Sequence, residues 1–243
     1  MLVEEYRAVT EISLRELRRI WRRLGRHSVL VGGWASHFLV DPEFYRWKRV
    51  HYVGSKDIDI GLSRRDLKTA VRELERLGYS RSGFRFYRIF DRDRGRPVRE
   101  TEGRRRPLFE LFYVYVDLVL DKRAPGEVFL WDPLLGFCLS RGLVESRRGF
   151  RILQAEPLVL MKLRHLGERD PEKRVKDVMD ALLTVGLAGF DTRLFSELRD
   201  LFPLDVGLVR RMLGLADDEL SALALTSDEI TGLKTALLSV LRS

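Results

Sequence analysis

Three aspartates and a pair of glycines are the residues of this sequence whose types and spacing suit chemistry. Asp57 and Asp59 lie two apart in Ser55-Lys56-Asp57-Ile58-Asp59-Ile60. On a strand, that spacing points both carboxylates to one face. Asp117 stands in Tyr115-Val116-Asp117-Leu118-Val119, an acid inside an apolar run. Burying it is costly unless it is paired or meets a cation. Three carboxylates converging on one sheet face make a hard-oxygen site suited to Mg2+. Upstream, Gly32-Gly33 follows the apolar Val29-Leu30-Val31 and precedes a helical pattern. Two glycines let backbone N–H groups approach a phosphate, and a helix N-terminus favours the anion. A phosphate cradle beside metal-binding carboxylates is the minimal equipment for moving a nucleotidyl group, because the metal polarises a phosphoryl oxygen and steadies the attacking and leaving oxygens. Each part alone has a plainer reading, a turn or a solvated strand edge. Their order along the chain is what joins them.

The elements that must position these residues can be read from periodicity. Ser13-Leu14-Arg15-Glu16 fits a capping box, and Leu14, Leu17, Ile20, Trp21 and Leu24 follow at helical spacing until Gly25. Val29–Val31 reads as a buried strand, and a second helix starts at Trp34. Residues 41–54, aromatic and basic, read as a loop. Residues 57–62 alternate as a strand with one polar face, and Ser63 and Asp66 open a helix that Gly78 closes. Strands are expected at 84–90 and 108–121, the latter with Tyr113, Tyr115, Asp117 and Asp121 on one face. Between them, 91–107 shows no apolar periodicity and reads as a charged loop or hairpin tip. A helix near 132–141, carrying Cys138 as a core residue, and a strand near 149–154 complete this part. From Pro157 onward the pattern is helical: 157–167, 171–186, 192–201, 205–214 and 227–241, punctuated by Asp170-Pro171 and Phe202-Pro203. The expected fold is α/β (or α+β): a mixed sheet with flanking helices over residues 1–155, then an all-helical domain over 156–243.

Val31-Gly32-Gly33-Trp34-Ala35, the Ser55–Ile60 stretch and Val116-Asp117-Leu118 together resemble the nucleotidyltransferase superfamily, the DNA polymerase β-like fold. The Gly-Gly-Trp-Ala form resembles aminoglycoside and lincosamide nucleotidyltransferases. Lys-Asp-Ile-Asp-Ile is similar to the AbiEii-type toxin nucleotidyltransferases. The resemblance implies that Asp57 and Asp59 bind Mg2+ (or Mn2+) and the triphosphate of an NTP, with Asp117 as the third metal carboxylate and an aid in activating an acceptor hydroxyl. It implies Gly32, Gly33, Ser55 and Lys56 around the nucleotide. Glu156-Pro157-Leu158-Val159-Leu160-Met161-Lys162, then Arg174-Val175-Lys176-Asp177 and Asp180, resemble a second AbiEii-type pattern. That implies Lys162, Lys176 and Asp177 as phosphate contacts or as a catalytic pair. From the residues alone, Lys176 and Asp180 are four apart on one helix face and can equally form a local ion pair. The gap from Gly33 to Asp57 is longer than in the smallest members of the superfamily, which makes 41–54 an insertion or mobile loop.

Composition narrows the partners. The 243 residues are 45% hydrophobic and 33% charged, which excludes a wholly disordered chain. The longest charge-free stretch, Ser28–Val40, falls short of the about 20 apolar residues a membrane span needs. Glu4, Glu5 and Arg7 precede any apolar run, so neither a secretory signal nor a membrane partner is expected, and the expected location is cytoplasmic. A single cysteine makes neither an internal disulfide nor a cysteine zinc site. His27, His37, His51 and His165 lack metal-ligand spacing. Lys and Arg number 44 against 36 Asp and Glu, for a net charge of +8. The excess lies in residues 1–155, with 32 basic and 21 acidic side chains; residues 156–243 have 12 and 15. A basic first part suits an anion. It favours RNA, tRNA included, over a cationic small molecule as the acceptor, with a protein hydroxyl also open; a compositional bias or a hot habitat gives the same excess. Two further readings stay open. One is an idle member of the fold that holds a nucleotide, RNA or a protein such as an antitoxin without turnover. The other is an RNA binder using Arg92, Arg94, Arg96, Arg99, Arg104, Arg105 and Arg106, whose interleaved acids equally suit a solvated loop.

Overall fold

The computed structural model describes residues 2–123, 125–126 and 128–242, with side chains from Ala8 onward. In chain order it runs α1 (Leu2–Leu24), β1 (Ser28–Val31), α2 (Gly32–Lys48), β2 (Ile58–Leu62), α3 (Leu67–Arg76), β3 (Ser80–Ser82), β4 (Arg85–Asp91), β5 (Pro97–Val98) and α4 (Glu100–Gly103). There follow β6 (Leu111–Leu120), β7 (Leu130–Trp131), α5 (Pro133–Arg141), β8 (Val144–Arg147), β9 (Phe150–Leu153), α6 (Ala155–Arg164), α7 (Pro171–Leu187), α8 (Thr192–Leu201), α9 (Val206–Met212), α10 (Asp217–Ala222) and α11 (Ser227–Val240). The class is mixed α/β with a helical C-terminal region, as the patterning indicates.

The chain forms two compact units. The first, 1–34 with 53–152, holds the sheet in the order β3-β4-β6-β2-β1-β9-β8, with β5 on β4 and β7 on β6. Pairing is mixed: β1–β2, β3–β4 and β4–β6 are antiparallel, β2–β6 and β1–β9 parallel. The central strands bring Leu30, Ile58, Ile60, Val116 and Leu118 into register on one face, opposite the face that carries Asp59 and Asp117. Val29, Leu30, Ile58, Ile60, Val116 and Leu118 are fully buried. Cys138, on α5, is fully buried as well. The second unit, 35–52 with 153–243, is helical.

Two local readings are corrected. The Ser13–Glu16 pattern caps nothing, because α1 runs straight through it. Its two polar groups serve distant partners instead: Trp34 Nε1 donates to Ser13 Oγ at 3.0 Å, and Tyr79 and Arg88 donate to Glu16 at 3.0 and 2.9 Å. Residues 41–48 are the second half of α2 and not a loop. Pro42 removes one donor from that helix, yet Phe44 is fully buried and Lys48 binds the Glu229 carboxylate at 2.6 and 2.7 Å. Tertiary packing thus outweighs local propensity. The 91–107 segment does form a hairpin, β5 pairing antiparallel with β4, and it adds α4; Arg106 is tied to Asp91 at 2.8 Å and to Glu110 at 3.1 Å, and Arg104 to Glu100 at 2.6 Å. A smaller shift places Asp57 just ahead of β2, which begins at Ile58.

Candidate functional site

Sheet register assembles the acids. Asp59 of β2 stands opposite Asp117 of β6, and Asp117 stands opposite Arg85 of β4. On the other side Val31, the last residue of β1, stands opposite Asp59. One row across the sheet therefore reads Val31, Asp59, Asp117, Arg85. The next two residues after Val31 are the paired glycines that open α2. Gly32 has φ +65°, a left-handed conformation that favours glycine. A Cβ there would overlap the Asp59 carboxylate. A Cβ on Gly33 would come within 2.7 Å of Ser55 Oγ, and one on Gly54 within 2.7 Å of the Trp34 ring. The glycines thus let the start of α2 lie directly against Asp59 and the 53–57 segment. In this unit the structure brings together Gly32, Gly33, Ser55, Asp57, Asp59 and Asp117, with Lys56 beside Asp57 on a neighbouring cleft of about 350 Å³. That cleft is also lined by Arg92, Leu108 and the stacked rings of Tyr113 and Tyr115.

Arg85 is the residue that motif reading missed. Its Nε donates to Asp117 Oδ1 at 2.9 Å and its Nη2 to Asp117 Oδ2 at 2.8 Å, a two-oxygen fork. Nη2 also lies 3.5 Å from Asp57 Oδ2. The guanidinium carbon sits 4.4 Å from the centroid of the Tyr115 ring. Burial opposes its charge, but the Asp117 fork and the Asp57 and Asp59 carboxylates outweigh that, holding it above its ordinary value. Asp117 is only 6% exposed, so this pairing is what makes its burial tolerable. No sequence signal marks Arg85, because its place depends on antiparallel register across the whole 91–107 excursion.

The donor set suits a hard divalent cation, since every candidate ligand is a carboxylate oxygen. As folded, the Arg85 guanidinium lies among these acids, on Asp117 and near Asp57. Among the described residues, no group of three or more His, Cys, Asp or Glu side chains is arranged around an ion-sized space.

Lys162, Lys176 and Asp177 lie in the helical unit and form a cluster of their own. Lys162 Nζ contacts Asp177 Oδ1 at 2.7 Å and Asp180 Oδ2 at 2.8 Å. Asp180 also receives Lys176 and the Tyr52 hydroxyl, and Arg169 lies 3.3 Å from Asp177. The pair expected between Lys176 and Asp180 is thus present. Burial opposes the Lys162 charge, yet Asp177 and Asp180 outweigh it and raise its pKa. For Lys176 burial wins, and its pKa falls despite Asp180. Burial would raise Asp180, but the two ammonium groups more than reverse this and hold it below the usual carboxylate range.

Among the described residues, no helix is long and apolar enough to cross a membrane. No protein-family model and no curated protein matches the chain. Among solved structures, the chain is similar to the antibiotic-resistance factor ANT(2'')-Ia, known from a solution structure, at 13% identity and a TM-score of 0.45, over 79% of this chain and 91% of that one.

Proposed function

We propose that this chain is a nucleotidyltransferase that moves a nucleoside monophosphate from an NTP to an acceptor hydroxyl with Mg2+ or Mn2+. The observation that carries this reading is the register row: Asp59 and Asp117 side by side, with the Gly32-Gly33 turn against Asp59. In this reading the backbone N–H groups opening α2 bind phosphate, and Ser55 and Lys56 lie where they can add contacts. Asp57, Asp59 and Asp117 would hold the ion, which when bound would polarise a phosphoryl oxygen. Asp117 takes the acceptor's proton. The acceptor oxygen bonds to the α-phosphorus, the bond to the bridging oxygen breaks, and pyrophosphate leaves. The acceptor is taken as RNA, tRNA included, because the first 155 residues carry the basic excess. A toxin role with an antitoxin partner, and phosphate contacts by Lys162, Lys176 and Asp177, rest on the sequence resemblance alone.

A second reading has its own support. A guanidinium forked onto Asp117 is what an idle, nucleotide-holding member of the fold would keep permanently. Calorimetric titration of each NTP with and without Mg2+, followed by transfer of labelled nucleotide to RNA, separates the two. The active reading expects metal-dependent binding and labelling, both lost in Asp57→Asn/Asp59→Asn, with transfer down at least a hundredfold. Binding with no transfer to any acceptor supports the idle reading. Transfer unchanged in the double variant overturns this mechanism.

A further inference from the structure

We infer that Arg85 and a divalent ion compete for the same carboxylates, so that the ion enters the acid row only by displacing the Arg85 guanidinium from Asp117. This deepens the preceding reading and rests on its metal site, though not on transfer itself. Three observations converge. The fork engages both oxygens of Asp117, at 2.9 and 2.8 Å, so an ion approaching that carboxylate meets a guanidinium already seated on it. The same guanidinium reaches toward Asp57, 3.5 Å away, so one positive group serves two of the three acids. It is also seated, with Tyr115 at 4.4 Å and only 22% of the side chain exposed, and is no wandering surface arginine.

The electrostatic logic is direct. Asp59 and Asp117 are register neighbours, and acids this close repel unless a cation lies near. Arg85 supplies that cation from the next strand, at the position opposite Asp117. A divalent ion brings twice the charge to the same oxygens but must first break two charge-assisted hydrogen bonds. The guanidinium leaves with its proton and charge intact. Arg85 therefore offsets part of the row's negative charge in the absence of metal, and it weakens metal binding by the strength of its fork.

The probe is Mn2+ alone, with no nucleotide, added to the full chain and read from the free-ion EPR signal. Arg85→Gln should tighten Mn2+ binding at least tenfold over wild type. Adding Asp117→Asn to Arg85→Gln should remove most of that gain. Arg85→Lys keeps a charge but loses the two-oxygen fork and should fall between, which preserves the test if the glutamine variant fails to fold. Circular dichroism confirms folding in each case. Equal or weaker Mn2+ binding in folded Arg85→Gln, or in Arg85→Lys where that alone folds, overturns the inference. Because no NTP is present, a chain that never transfers nucleotide can still show the competition. Conversely, competition without NTP binding would overturn the nucleotidyltransferase reading only.

Discussion

Replacing Lys162 by methionine should cost the helical unit about 3–5 kcal/mol, the penalty of leaving buried charges without their partner. Lys162 is 5% exposed, and its ammonium is met by Asp177 and Asp180, which are 6% and 0% exposed. Methionine conserves much of the volume, so the loss reads electrostatics more than packing. Lys176 and Tyr52 still reach Asp180, but Asp177 keeps only the half-exposed Arg169. Urea unfolding of wild type and variant gives the difference. The pH dependence has a defined sign. Asp180 is held below the ordinary carboxylate range, so its contribution is present above that range and lost as pH falls through its lowered value. In Lys162→Met the larger of the two ammonium influences on Asp180 is gone, so the acid loss should begin at higher pH. On the alkaline side the raised Lys162 loses its contribution as pH rises through its folded value, while the lowered Lys176 partly offsets this.

Gly32→Ala should be nearly as damaging to the sheet unit and more damaging to its chemistry. The left-handed conformation at φ +65° costs a side-chain-bearing residue about 1–2 kcal/mol. The added methyl also meets the Asp59 carboxylate, and such overpacking costs about 1–3 kcal/mol more. Relief can come only by moving Asp59 or the start of α2, and either change separates the turn from the acid row. Mn2+ binding should therefore fall even where the variant remains folded. A variant with wild-type stability and wild-type Mn2+ affinity would show that the turn and Asp59 are not coupled.

The parts of the candidate site that depend on local spacing were legible in the sequence. Gly32-Gly33 after an apolar run, the Asp57–Asp59 pair and the alternation around Asp117 each depend on a handful of neighbouring residues. What escaped depends on distant partners. Arg85 acquires its role from register with β6, which periodicity within β4 does not encode. The 41–48 helix was hidden by Pro42 and by an aromatic, basic composition that suggests a loop. Its helicity is upheld by the buried Phe44 and by Lys48 reaching Glu229, contacts far apart in sequence. Ser13 and Glu16 mislead for the same reason: a capping pattern is also what two buried polar anchors look like when Trp34, Tyr79 and Arg88 come to meet them. In the helical unit, the spacing of Lys176 and Asp180 signalled a pair, whereas nothing near Tyr52 announced that its hydroxyl would join it.

The lone cysteine gives the sheet unit a clock of its own. Cys138 is fully buried on α5, and burial, with a smaller influence from Asp132, pushes its thiol up to about 12. A thiol so placed reacts with an alkylating reagent only while the surrounding sheet unit is open, since the reactive species is the exposed thiolate. No second thiol exists to confuse the signal. The rate of modification thus counts openings of one half of the molecule while spectroscopic unfolding follows the whole. With that timer, Lys162→Met and Gly32→Ala become distinguishable by which half they loosen: the first should leave the labelling rate near wild type, and the second should quicken it.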